Sequence, residues 1–293
     1  MAYHNYASDS LVQKLSAGGA KLSGAQYIYN ENEAVQKFEG IVSQVNEIIN
    51  GLFTFAEIRG NVKFAVAGKN YSPFQVSCLG NDDFVILIDH DAFCYLANLC
   101  ARVQTLEPLA KFVNAEQKVI NRDYKGKYLL DIAKDIAFYP ENISEVISGY
   151  VHMTIFQAAL MHIIAHEYAH ILHGHFDFLN STEFLKFAEN DEDKALTRRA
   201  LEMDADSSAA SAVFDMFESF IHGRIIRGDW IDGVDDKLIR SHYLTGSFLS
   251  VIYLECLSSN LNPKYHPIGF ARFLTISDVL PFISVGCPLS TSN

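Results

Sequence analysis

The sequence predicts an α+β protein, mostly α-helical, with a small sheet confined to its N-terminal half. Two patterns carry this. Short apolar runs separated by Gly, Asn, Pro and Asp stand between residues 62 and 90. From residue 140 onward the apolar residues recur at helical spacing over long segments.

In chain order, "EAVQKFEGIVSQVNEIINGLF" (33–53) places Val35, Phe38, Ile41, Val42, Val45, Ile48 and Ile49 on one helical face, after a weakly patterned lead-in over 1–30. "VKFAVAG" (62–68), "FQVSCLG" (74–80) and "FVILIDH" (84–90) read as strands. "AFCYLANLCARV" (92–103) reads as helix. A long helix is expected over 140–174, opening near Pro140 and closing at Gly174. An acidic, polar loop is expected over 175–194, then helices over 195–221 and 235–259, and a turn and last helix over 262–280. These segments group into an N-terminal α+β region, 1–139, with a docking or cleft-forming role, and a helical region, 140–293.

Bulk properties narrow the function. The 293 residues suffice for one large or two small domains, and the formal net charge of −12 argues against nucleic acid as a partner. Five cysteines, with no C-x-x-C pair, support neither a disulfide framework nor a cysteine metal site, and point to a reducing compartment. The most apolar stretch, Tyr150 to Leu172, carries His152, His162, His166, Glu167 and His170, which do not belong in lipid. The N-terminus has no basic segment followed by an apolar core. The expectation is therefore a cytoplasmic protein with no membrane partner.

The chemistry concentrates in "MHIIAHEYAHILHGH" (161–175), which holds five histidines and one glutamate. Within it, His166-Glu167-Tyr168-Ala169-His170 is H-E-x-x-H. On a helix, residues four apart share a face, so two imidazoles can grip one metal ion while the intervening glutamate reaches a water beside it. A third ligand is expected from Glu202 on the next long helix. Asp206, one turn later, is placed to accept the outer N–H of a liganding imidazole. Asp204, between them, is expected to face solvent. Of the other histidines, His162 is read as a core residue, and His173 and His175 as helix-end groups. Zn2+ suits this donor set.

Further on, "YHPIGFAR" sets His266-Pro267 before Arg272. The three pieces in this order resemble the gluzincin metallopeptidases, most nearly the CAAX-prenyl-protease and HtpX group, whose pattern is H-E-x-x-H, then E-x-x-A-D, then H-P-x-x-x-x-R. The resemblance spans roughly 160–275. It implies a zincin-like catalytic region with His166, His170 and Glu202 as zinc ligands, Glu167 as catalytic base, and a substrate or transition-state role for His266 and Arg272. That group carries transmembrane helices and this chain lacks convincing ones, so the layout is more similar to the soluble, Lit-like phage-exclusion peptidases. That resemblance implies a polypeptide substrate, a single folded host protein. His266 is the first choice for steadying the oxyanion, with His242 and Tyr243 as alternatives. Arg272 either holds the substrate backbone or pairs with Asp206. A zinc-binding regulator without proteolysis is the competing class, and the presence of Glu167 argues against it.

Overall fold

The computed structural model describes residues 61–67, 74–80, 83–89, 145–187, 190–227 and 236–257, and single helical positions at 92, 95, 96, 99, 100, 271, 272 and 274–276. Among these the protein is mostly helical with one small sheet. The expected helix at 33–53, the lead-in over 1–30 and His266 lie outside the described residues.

Three strands, β1 (Asn61–Ala67), β2 (Phe74–Gly80) and β3 (Asp83–Asp89), form a sheet in the order β1-β3-β2. β3 is central, parallel to β1 and antiparallel to β2, with Phe64 and Val76 both opposite Ile86. Its sequence, Phe-Val-Ile-Leu-Ile, lacks the alternation of a half-solvated strand, and Val85, Ile86, Leu87 and Ile88 are all buried. β2 bonds to β3 on one side and kinks near Cys78 and Gly80 where the register shifts.

Five continuous helices follow among the described residues: α1 (Glu145–Leu172), α2 (His175–Leu179), α3 (Thr182–Phe187), α4 (Asp191–Arg227) and α5 (Asp236–Leu257). α1 is the axis of the fold, packed against α4, α5, β2 and β3. Between Thr154 and Ile171 only Gln157, Glu167 and His170 escape full burial. A helix apolar on nearly all sides belongs in the middle of a protein. The two later exceptions are the places where this one opens towards solvent. No helix among the described residues is long and apolar enough to cross a membrane.

The acidic segment after α1 is not the loop the sequence suggested. Local capping makes it helical. Ser181 Oγ accepts the Phe184 N–H at 3.1 Å ahead of α3. Asn190 Oδ1 accepts the Glu192 and Asp193 N–H groups, both at 2.9 Å, at the start of α4. Asp191, Glu192 and Asp193 then lie in the first turn, where the helix dipole favours acids. The acidity that read as solvated loop is in part the N-terminal signature of a long helix.

α5 ties the two halves of the sequence together. Tyr253 Oη donates to the Ala92 carbonyl at 2.7 Å, and its ring meets Phe74 of β2 edge-on. α5 approaches α1 closely at Gly246, where an added Cβ would lie 2.5 Å from the Ile155 carbonyl oxygen and 2.7 Å from the Ala158 Cβ. Gly246→Ala should therefore destabilise the protein. The backbone of a buried helix must move, at about 1–3 kcal/mol, against a helix-propensity gain of about 1 kcal/mol. A lowered urea midpoint with an unchanged m-value is the expected result.

Candidate metal centre

α1 and α4 bring the expected ligands together. His166 and His170, one turn apart, aim their Nε2 atoms at the same point, 3.1 Å from each other. Glu202 on α4 meets them with one carboxylate oxygen 3.4 Å from His166 Nε2 and the other 3.6 Å from His170 Nε2. In a tetrahedral zinc shell with bonds of about 2.0–2.2 Å, ligand atoms stand about 3.3–3.5 Å apart. The three observed separations, two of them to different oxygens of Glu202, lie near that spacing. The donors are two imidazole nitrogens and a carboxylate, so the residues present fit a divalent metal ion.

The outer side of His166 is also fixed. Its Nδ1 stands 2.9 Å from Asp206 Oδ1, and the carboxylate is fully buried. Taking the proton to be on Nδ1, where Asp206 can accept it, leaves the Nε2 lone pair facing Glu202 and His170. Arg272 backs Asp206 with two hydrogen bonds, Nε to Oδ2 at 2.7 Å and a terminal nitrogen to Oδ1 at 2.8 Å. Arg272 is itself buried. Of its two expected roles, pairing with Asp206 is the one this geometry favours: it acts behind the site, through Asp206. His162 lies deeper on α1, fully buried, with its Nε2 3.9 Å from Asp206 Oδ1 and neither ring nitrogen hydrogen-bonded.

The electrostatics favour positive charge at the meeting point. Burial pushes His166 down, but Asp206 and Glu202 against its two nitrogens outweigh it and raise the imidazole to about 10. Burial, then the charge of His166, pushes His170 down to about 3. Glu202 resists burial through its contact with His166 and is held near about 2. Burial would raise Asp206 too, but Arg272 and His166 hold it well below the usual carboxylate range. Glu202 thus faces the meeting point directly, and the Asp206–Arg272 pair stands behind His166, so the point takes either an imidazolium proton or a metal cation in its place.

Glu167 stands apart from this pairing. Burial, with a contribution from the Glu202 charge, raises its carboxyl to about 7, while His166 and a hydrogen bond from the Val76 N–H pull the other way. That bond brings the outer strand β2 to the same end of α1 as the H-E-x-x-H residues.

Tyr243 and His242 are placed elsewhere. Tyr243 Oη donates to the Ala210 carbonyl at 3.1 Å, and its ring meets Phe214 edge-on. Ala210 is eight residues beyond Glu202 on α4, about 12 Å along the axis. His242, the residue before it on α5, is fully buried.

Three residues assigned to the periphery prove to be connected to the centre. Gly174, at φ 66° and ψ 29°, adopts the left-handed conformation that glycine tolerates best, and the chain reverses there between α1 and α2. The turn carries His175 back, buried, with its Nδ1 2.8 Å from His170 Nδ1. Asp204, expected in solvent, is half-exposed but engaged: its Oδ2 meets His175 Nε2 at 3.1 Å and His173 Nδ1 at 2.5 Å. Helical periodicity does not reveal the His175 contacts, because the turn at Gly174 makes them; the His173 N–H still donates helically to the Ala169 carbonyl at 2.9 Å. The available signal was the His-Gly-His order, with the glycine where a helix would end.

No protein-family model matches the chain, and searches of curated proteins and of solved structures find no match.

Proposed function

We propose that the chain is a zinc-dependent endopeptidase of zincin type that hydrolyses a peptide bond in an intracellular protein. The observation that carries this reading is the convergence of His166, His170 and Glu202 at separations of 3.1, 3.4 and 3.6 Å, with Glu167 on the same turn of α1. Those three residues would hold the ion. When bound, zinc supplies Lewis-acid chemistry, making water more acidic and a carbonyl more electrophilic. Glu167 acts as general base, taking a proton from water and passing it to the leaving amine. A carboxyl poised near neutrality can both accept and return a proton, and burial places Glu167 there. Among the described residues β2 pairs with β3 alone and reaches Glu167 through Val76, so its outer edge is the place we propose for an extended polypeptide. Asp206 and Arg272 keep His166 oriented. The order of motifs in the sequence, with its resemblance to soluble gluzincins, points the same way.

The ligand set makes a direct prediction. Purified protein should carry one zinc per chain. His170→Ala and Glu202→Ala should each weaken binding by more than about 100-fold, beyond the range of outer-partner substitutions. Metal analysis with chelator competition measures this, and stably folded wild type without zinc affinity would end the reading. The peptidase activity itself is tested by mapping new protein termini in cells that express wild type or Glu167→Gln. Termini that depend on Glu167 are expected, and identical maps would remove the enzyme assignment.

A further inference from the structure

We propose that Asp204 and His175 form a positioning relay that fixes the tautomer of His170, and that they do not build a second metal site. The inference rests on the reading of His166, His170 and Glu202 as metal ligands.

His173, His175 and Asp204 place one nitrogen or oxygen each within 4.8 Å of one another, so on proximity alone they could hold an ion of their own. Proton placement decides against it. For His170 Nε2 to bind a metal, its proton must sit on Nδ1. Among the described residues, His175 Nδ1, 2.8 Å away, is the one placed to accept it. His175 must then carry its own proton on Nε2, which points at Asp204 Oδ2 at 3.1 Å. A nitrogen that donates to Asp204 has no lone pair for a metal. Loading the inner site therefore withdraws His175 from the outer cluster, leaving two donors there.

The rest of the cluster agrees with this direction. His173 Nδ1 donates to the same Asp204 oxygen at 2.5 Å, and Ser208 Oγ can donate to His173 Nε2 at 3.4 Å. Asp204 thus receives two N–H donors, as an ionised carboxylate can. Every proton has one consistent place, and the chain of donors ends with a free lone pair on His170 Nε2 aimed at Glu202 and His166. The two liganding histidines are then held by parallel devices: His166 directly by Asp206, and His170 through His175 by Asp204. Gly174 makes the second device possible, because its left-handed turn carries His175 back over His170.

The test measures zinc affinity and stoichiometry, with the visible spectrum of the Co2+-substituted protein as a readout of ligand geometry. Asp204→Asn and His175→Phe should each weaken zinc binding by about 10–100-fold, the usual worth of an outer partner. Both should change the Co2+ spectrum. His175→Gln, whose carboxamide oxygen can still accept the His170 proton, should recover part of the loss. His173→Ala should leave affinity and the one-to-one stoichiometry unchanged. Asp204 is half-exposed, so Asp204→Asn keeps the test open should His175→Phe fold poorly. Unchanged affinity and spectrum in Asp204→Asn, and in His175→Phe where it folds, would overturn the relay alone. So would a second zinc in wild type that His173→Ala removes. A wild type that binds no zinc removes the metal reading, and the relay with it.

Discussion

Glu167→Gln should lower the rate of peptide hydrolysis by about 10²–10⁴-fold, the usual worth of a positioned general base. Zinc content and fold should not change. The substitution is nearly isosteric, and the glutamine side-chain oxygen can still accept the Val76 N–H that holds Glu167. What disappears is the capacity to take up a proton. Burial already opposes the charged form of Glu167, so a neutral amide in its place should leave the melting temperature equal or slightly higher. Three measurements separate the possibilities: cleavage rate on the polypeptide identified by its new termini, zinc per chain, and thermal unfolding. A lower rate with full zinc and an intact fold supports the base. An unchanged rate with both intact removes Glu167 from the chemistry. Lost zinc would mean that Glu167 serves the ligand set itself.

Much of the described fold was legible because its elements obey simple periodicities. The three strands and the long helices α1, α4 and α5 stand within a few residues of where apolar spacing put them. The convergence of the candidate ligands was legible for the same reason. His166 and His170 share a helical face by spacing, and Glu202 and Asp206 repeat the spacing on the helix that packs against it. Asp204 defeated that logic. Its place between two inward-facing acids on a helix predicts solvent, and half of it is in solvent. It is engaged because His173, still held helically at the end of α1, and His175, carried back by the left-handed turn at Gly174, both reach it, and a turn that depends on one dihedral has no periodicity to read. The acidic segment after Gly174 misled for another reason. Asp and Glu are common both in solvated loops and in first helical turns, and the capping bonds of Ser181 and Asn190 decide between the two.

Asp206→Ala should be the most damaging single change for stability, and it separates stability from metal binding. The carboxylate is fully buried and takes two hydrogen bonds from Arg272 as well as the His166 Nδ1 contact. Removing it strands a buried guanidinium, which costs about 3–5 kcal/mol. It also frees the His166 tautomer, which should weaken zinc binding by about 10–100-fold. The two effects have different cures. In the double variant Asp206→Leu with Arg272→Met both charges are gone, and replacing a buried ion pair by apolar side chains of similar size is often neutral or stabilising. Stability should return while zinc affinity stays low, since nothing again accepts the His166 N–H. Arg272→Met alone should do the reverse: it destabilises through an uncompensated Asp206 but spares more of the affinity, because Asp206 still holds His166. Urea denaturation and chelator competition on the same preparations distinguish these cases. A double variant that binds zinc as tightly as wild type would reduce Asp206 to half of a buried ion pair, and the orientation of His166 would have to come from the packing of α1 alone.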